Sequence, residues 1–373
     1  MAVLKNSKNL NLGKVSADNM TSNTSTTESE MTGDISTYRD ALTSYLRLVT
    51  TAKEVHIEIL QRLSGGAIQE NWLMVVQVSD GPYQGAQRWV LRTDALSSVP
   101  VSLSRAQEFA VLRVAYDAGV KAPKVLWCCQ DRAILGRDFF LMECVPGIAA
   151  GHRITNDDAL TPDRAALVAE LGANMARLHT VKPPHLALSF LPPPAADPAL
   201  ASVMTYRGYL DALDVAAPVL EWGLRWCEQH RPEITSPCLL HRDYRTGNYM
   251  IHDGHLSGLL DWEFTGWGDP REDIGWFTAR CWRFAGPRRE AGGIGEIDDF
   301  LHGYATVSNA VITRHDLIFW QVMAHLRWAI IALQQADRHL SGQQTSLELA
   351  LTGRMLPELE IEILALTKGE CYA

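Results

Sequence analysis

Asp243, Asn248 and Asp261 are the side chains of this chain best suited to chemistry on a hydroxyl group. They lie in two short runs, HRDYRTGN at 241–248 and LLDWE at 259–263, separated by Tyr249 to Ile251, His252-Asp253-Gly254-His255 and Leu256 to Gly258. Asp-Gly between two apolar runs signals a two-residue hairpin loop of type I′, whose central positions both need positive φ. With the turn at Asp253-Gly254, His252 faces His255, Ile251 faces Leu256, and Asn248 falls opposite Leu259, two residues short of Asp261. Diagonal neighbours across a strand pair lie about 7–8 Å apart, so Asn248 and Asp261 can share one cation. An amide oxygen with a carboxylate suits Mg²⁺, which takes few protein ligands and completes its shell from phosphates and water. Asp243, five residues before Asn248, stands on the loop entering the hairpin, where it can accept the proton of an incoming hydroxyl or orient it.

Two regions of different character must position these residues. Residues 1–34 are rich in Asn, Ser and Thr and are expected to form a flexible tail, having little apolar surface to offset the entropy of ordering. From Ile35 to Val49 apolar residues recur at helical spacing. Strands are expected at Ile57–Leu63, Trp72–Val78, Arg88–Arg92, Val125–Cys129 and Phe139–Cys144, with a helix at Ser104–Ala118 among them. Together, residues 35–145 read as a small α+β lobe carrying an N-terminal helix. Residues 146–373 read as a larger, mainly helical lobe. Its helices are expected at Ala165–His179, Ala217–Gln229, Ile297–Val307, His315–Arg338 and Glu348–Leu366, with Pro183 to Pro198 as loop.

Composition excludes several classes. With 34 basic and 43 acidic residues, a net charge of −9, the chain lacks the basic face that nucleic-acid binding requires. Seven cysteines, at 128, 129, 144, 227, 238, 281 and 371, show no C-x-x-C spacing and read as reduced thiols. No secretory signal is legible, and the most apolar late stretch, Leu317 to Leu333, is interrupted by His325 and Arg327, so neither export nor a membrane span is expected. A cytoplasmic monomer or homodimer acting on a small molecule fits this composition.

The order H-x-D-x-x-x-x-N, hairpin, D resembles the catalytic and metal loops shared by protein kinases and aminoglycoside phosphotransferases. The resemblance extends upstream. RLSGGAIQENW at 62–72 looks like the phosphate-covering hairpin of the aminoglycoside-phosphotransferase and choline-kinase group. WVLR at 89–92 is similar to its third strand, QEFAVL at 107–112 to its small-lobe helix, and FFLMECVPG at 139–147 to its interlobe hinge. The helix-rich segment LRWAIIALQQADRHLSG at 326–342 resembles bacterial members near the kinase domains fused to acyl-CoA dehydrogenases. The resemblance implies a protein-kinase-like two-lobed fold and an ATP- and Mg-dependent enzyme phosphorylating the hydroxyl of a small molecule. Asp243 would be the catalytic aspartate, Asn248 and Asp261 the Mg²⁺ ligands, and His241 a structural brace. Arg92 would touch ATP phosphates and pair with Glu108, Gly65 and Gly66 would cover the phosphates, and Glu143, Cys144 and Val145 would hold adenine. The sequence departs from the pattern at Arg92, where most kinases carry lysine, and has no G-x-G-x-x-G.

The acceptor is less sharply drawn. Arginines at 280, 283, 288 and 289 read either as a solvated loop or as a site for an anionic or amphiphilic substrate, with Trp282 either in an aromatic substrate wall or in the core. The first alternative leaves the acceptor open. The second favours a hydroxylated acid or hydroxyacyl-CoA-type metabolite over an aminoglycoside or choline-like alcohol. Asp269 and Asp273 read as helix-capping or bracing groups. A metallohydrolase using His241, Asp243, His252, Asp253 and His255 is the rival of another class. It is disfavoured because the hairpin turns His252 and His255 away from Asn248. A nucleotide-binding module without catalysis is a further rival.

Overall fold

The computed structural model describes residues 25–63, 69–94 and 102–369. The turn expected at Gly65-Gly66 lies outside them. The small lobe contains α1 (Ser25–Thr50), β1 (Val55–Arg62), β2 (Gln69–Val78), β3 (Gly85–Asp94), α2 (Arg105–Asp117), β4 (Val125–Cys129), α3 (Arg132–Leu135) and β5 (Phe139–Glu143). The five strands form one antiparallel sheet in the order β1-β2-β3-β5-β4.

Side-chain alternation gives the sheet two apolar faces. Trp89 and Leu91 of β3, with Phe139 and Leu141 of β5, pack under Leu42, Tyr45 and Leu46 of α1. Val90, Phe140 and Met142 point the other way, toward Phe109 and Leu112 of α2. Arg92, two residues after Val90, therefore emerges on the α2 side of the sheet. Ser104 and Gln107 form a reciprocal capping box that starts α2 and fixes where its buried Glu108 sits. The α1 helix begins at Ser25, so the boundary of the tail read as 1–34 falls inside a helix.

The large lobe contains α4 (Gly151–Asn156), α5 (Arg164–His179), α6 (Pro198–Asp211), α7 (Pro218–Gln229), β6 (Cys238–Leu240), β7 (Tyr249–His252), β8 (His255–Leu259), β9 (Gly266–Gly268), α8 (Pro270–Thr278), α9 (Ile297–Ala305), α10 (Arg314–Leu340), α11 (Leu347–Gly353) and α12 (Leu356–Lys368). Helix α6 begins where the Pro-rich loop ends; Asp197 caps it and Pro198 takes its first turn. The single helix expected at Glu348–Leu366 is divided into α11 and α12, because Pro357 fits only the first turn of a new helix. One core joins α5, α8, α9 and the β7–β8 hairpin to the α2 face of the small lobe; a second joins α6, α7, α10 and α12.

Helix α10 is long and apolar enough to cross a membrane, but most of that apolar stretch is buried inside the fold, against α7, α8 and α12. Its His325 is 2 % exposed and donates from Nδ1 to the Gln321 carbonyl at 2.7 Å. Burial lowers its pKa from 6.5 to about 4. As pH falls from about 6.5 toward 4, the unfolded chain takes up a proton that the folded chain refuses, so stability present above that window is lost across it. Urea titrations at pH 7 and pH 4.5 should show a loss that His325→Gln reduces by on the order of 2 kcal/mol.

Candidate active site

The β7–β8 hairpin turns at Asp253 (φ 50°) and Gly254 (φ 79°), as the Asp-Gly pair requires. Its register differs from the simple count. His252 pairs with His255 and Ile251 with Leu256, but a bulge at Ser257 shifts the remainder, so Met250 faces Gly258 and Tyr249 faces Leu259. Ser257 Oγ donates to the carbonyls of Met250 at 3.1 Å and of Pro146 at 2.6 Å, tying the bulge to the segment that joins the lobes. Asn248 consequently faces Leu260, whose N–H donates to the Asn248 carbonyl at 2.7 Å. The expected opposition to Leu259 is corrected by one residue, which brings Asn248 closer to Asp261.

Asn248 Nδ2 donates to the Asp243 carbonyl at 3.0 Å and also to its carboxylate. This double anchor fixes the amide so that Oδ1 is left as an acceptor. Asp243 Oδ1 accepts from Trp276 Nε1 at 2.9 Å and from Arg245 Nε at 3.2 Å. Trp276 and Arg245 belong to the site although their spacing carried no motif; only the local density of tryptophan hinted at the first. The Asp243 N–H donates to His241 Nδ1 at 3.2 Å, and His241 Nε2 donates to the Leu260 carbonyl at 3.0 Å. The buried imidazole thus links the loop of Asp243 to the strand before Asp261. Burial lowers its pKa, which keeps Nδ1 free to accept.

Asp273 of α8 anchors the same loop. Its carboxylate accepts the N–H groups of His241 and Arg242, each at 2.7 Å, and meets His179 Nε2 at 3.3 Å. Burial raises its pKa, but the bond and positive charge of His179 and the bonds from the loop outweigh that and hold it below the usual range. Arg242 takes a positive φ of 62° there, a conformation disfavoured for a side chain with Cβ and held by this grip. Replacing Asp273 by Ala strands these donors and should cost about 3 kcal/mol in a urea titration. Asp269 caps α8 by accepting the Arg271 N–H at 2.9 Å.

Across the cleft, Arg92 Nε pairs with Glu108 at 2.8 Å and Nη2 with Asp261 Oδ1 at 2.9 Å. The expected Arg92–Glu108 pair is present, and Arg92 bridges the two lobes besides. Arg105 reinforces Glu108 and pairs with Asp94 at 2.9 Å. Asp261 has φ 66°, a strained conformation for a non-glycine residue, and its carboxylate meets Arg92. Asp261 Oδ2 and Asn248 Oδ1 are not engaged by any protein donor among the described residues, and both are hard oxygens, so this pair fits Mg²⁺. No group of three or more His, Cys, Asp or Glu stands in metal-holding geometry among the described residues; His252 and His255 sit at the hairpin tip.

At the interlobe segment, the Cys144 N–H donates to the Arg88 carbonyl at 3.0 Å and the Glu143 N–H to the Lys124 carbonyl at 2.9 Å. Val145 lies directly over Gly258, where an added Cβ would come within 2.9 Å of its side chain. Glu143, Cys144 and Val145 therefore form one edge of the cleft above the hairpin.

Three of the four arginines singled out for a substrate have protein partners. Arg280 pairs with Glu362 at 2.9 Å, Arg283 donates to the carbonyls of Thr278 and Pro287, and Arg289 donates to the Thr155 carbonyl. Only the Arg283 contacts close a short loop on its own carbonyls; Arg280 and Arg289 reach distant segments. Trp282 is buried between Trp276 and Trp328, with ring centroids 4.9 Å away on each side, and the Arg245 guanidinium lies over it at 4.6 Å. It packs in the core and supports a site residue through one face.

A family model described as a phosphotransferase enzyme family matches residues 59–308. The chain belongs to this phosphotransferase family, and its strand-rich small lobe and helical large lobe have the fold of the solved structures it superposes on. It is 28 % identical over 242 residues to acyl-CoA dehydrogenase family member 10 of Mus musculus, covering 63 % of this chain and 22 % of that protein. The chain spans less than half the length of the curated relatives it matches first. Among solved structures, a protein from Ralstonia eutropha assigned as an aminoglycoside phosphotransferase superposes with TM-score 0.71 at 20 % identity, over 88 % of this chain and 98 % of that one. A spectinomycin phosphotransferase solved with ADP and spectinomycin superposes with TM-score 0.60 at 11 % identity, again over 88 % and 98 %.

Proposed function

We propose that the chain transfers the γ-phosphoryl group of ATP to the hydroxyl of a small hydroxylated acid or hydroxyacyl-CoA-type metabolite. The observation that carries the reading is the double anchor of the Asn248 amide nitrogen on Asp243, which leaves the amide oxygen as an acceptor on the segment that pairs with the residue before Asp261. Asn248 and Asp261 hold Mg²⁺, which when bound neutralises charge on the phosphates. Asp243 orients the acceptor hydroxyl and takes its proton as the new P–O bond forms and ADP departs. Trp276 and Arg245 hold the Asp243 carboxylate in place for that task. Arg92 is released from Asp261 toward the phosphates while Glu108 keeps its other edge fixed. The backbone of Glu143 to Val145 borders adenine.

For the acceptor class, the similarity to acyl-CoA dehydrogenase family members supports an acyl metabolite. The test is ATP consumption by the purified chain against a panel of hydroxyacids, hydroxyacyl thioesters, choline and aminoglycosides. Turnover confined to the acyl compounds is expected; turnover with kanamycin-type compounds and none with acids would overturn the acceptor class.

A further inference from the structure

We propose that Arg327 of α10 is the acceptor-recognition cation of this site, binding an acidic group on the molecule whose hydroxyl reaches Asp243. The inference rests on the kinase reading above and deepens it by assigning the acid specificity to one residue.

Most charged groups around Asp243 have direct partners. Asp243 is engaged by Arg245 and Trp276, Glu272 pairs with Arg242 at 3.3 Å, and Asp273 is occupied by His179 and two backbone N–H groups. Arg327 is partly buried beside them and forms no ion pair among the described residues. It donates from Nη1 to the Arg242 carbonyl, lies over the Trp276 ring at 4.2 Å, and sits 6.0 Å from the Phe264 ring centroid. Its other guanidinium nitrogens donate to no protein acceptor among the described residues. Burial disfavours the charge of Arg327, and Tyr206, Asp243, Glu272 and Asp273 more than offset that without any of them forming a direct ion pair with it. A ligand carboxylate would supply that direct pair, and a guanidinium fork matches a carboxylate in two parallel hydrogen bonds.

The placement also sets a distance. Trp276 donates to Asp243 through its indole N–H and carries Arg327 on its ring face. The aspartate and the free cation are therefore separated by the span of one indole. An acceptor with its hydroxyl at Asp243 and its acid group on Arg327 has these two groups several bonds apart.

The test compares short- and medium-chain hydroxycarboxylates with their matching diols, following tryptophan fluorescence for binding in the presence of Mg-ADP and ADP release for turnover. The native chain should bind the best acid about tenfold or more tightly than its diol. Arg327→Met should abolish that preference by raising KM for the acid about tenfold, leaving diol binding and nucleotide affinity unchanged; Arg327→Lys should restore part of it. A merely structural role would weaken acid and diol alike. Equal binding of acids and diols by the native chain, or an acid preference that survives Arg327→Met, overturns the assignment. If Arg327→Met does not fold, an undiminished preference in Arg327→Lys and Arg327→Gln does so. The kinase reading fails separately, if acids bind preferentially and no acceptor yields ADP.

Discussion

Asp243→Ala lowers the rate of phosphoryl transfer about a thousandfold, while its urea midpoint and nucleotide affinity stay close to those of the native chain. The residue has two kinds of contact, and only one is catalytic in the proposed mechanism. Its backbone N–H and carbonyl hold His241 and Asn248, and these survive the substitution. Its carboxylate accepts from Trp276, Arg245 and Asn248, so truncation leaves three donors around a vacated volume large enough to admit water. The loss should fall on kcat with little change in KM, because the missing interaction belongs to the proton-transfer step. Single-turnover ADP formation checks this. A variant retaining a tenth or more of native turnover would remove Asp243 from the mechanism.

Asp261→Asn should cost about a hundredfold or more in turnover at low magnesium, part of it recovered as magnesium is raised, since the amide keeps an oxygen ligand and loses the charge. Asn248→Ala should share the magnesium dependence and add a loss of its own, because Asp243 then loses its Nδ2 anchor. Arg92 sharpens the distinction. In the structure it pairs with Asp261, so the Asp261 change also frees a buried guanidinium that Glu108 still holds. Magnesium titrations of nucleotide binding, read by calorimetry, separate the two variants. A magnesium response identical to that of the native chain in both would exclude the assigned cation pair.

Much of this site is legible in the sequence because its parts are local. Asp253-Gly254 fixes the turn, the loop of Asp243 and the hairpin follow without a long connection, and alternation along β3 sends Arg92 to the side where α2 offers Glu108. The bulge at Ser257 is not legible, because it arises from hydrogen bonds to Met250 and to Pro146 in a distant segment. It moves Asn248 from opposite Leu259 to opposite Leu260, a one-residue change that tightens the proposed cation pair.

Cations were harder to read than carboxylates. Four arginines crowded between 280 and 289 draw attention by density, yet Arg280, Arg283 and Arg289 are held by Glu362 and by loop carbonyls. Arg327, isolated in an apolar helical run, looks in the sequence like an interruption of a core helix. Its distinction is the lack of a carboxylate partner, a property of tertiary packing that no spacing rule encodes. Helix α6 was missed for a related reason: its apolar residues do not form a single strong stripe, and only Asp197-Pro198 marks its start. The split between α11 and α12 could have been read from Pro357 alone.

The most direct test of the account follows phosphorus. In ³¹P NMR of the native chain with Mg-ATP and a hydroxycarboxylate panel, a phosphate monoester resonance should grow in step with ADP, and be absent with Asp243→Ala. ADP accompanied only by inorganic phosphate, or ATP unchanged with every acceptor, would contradict it.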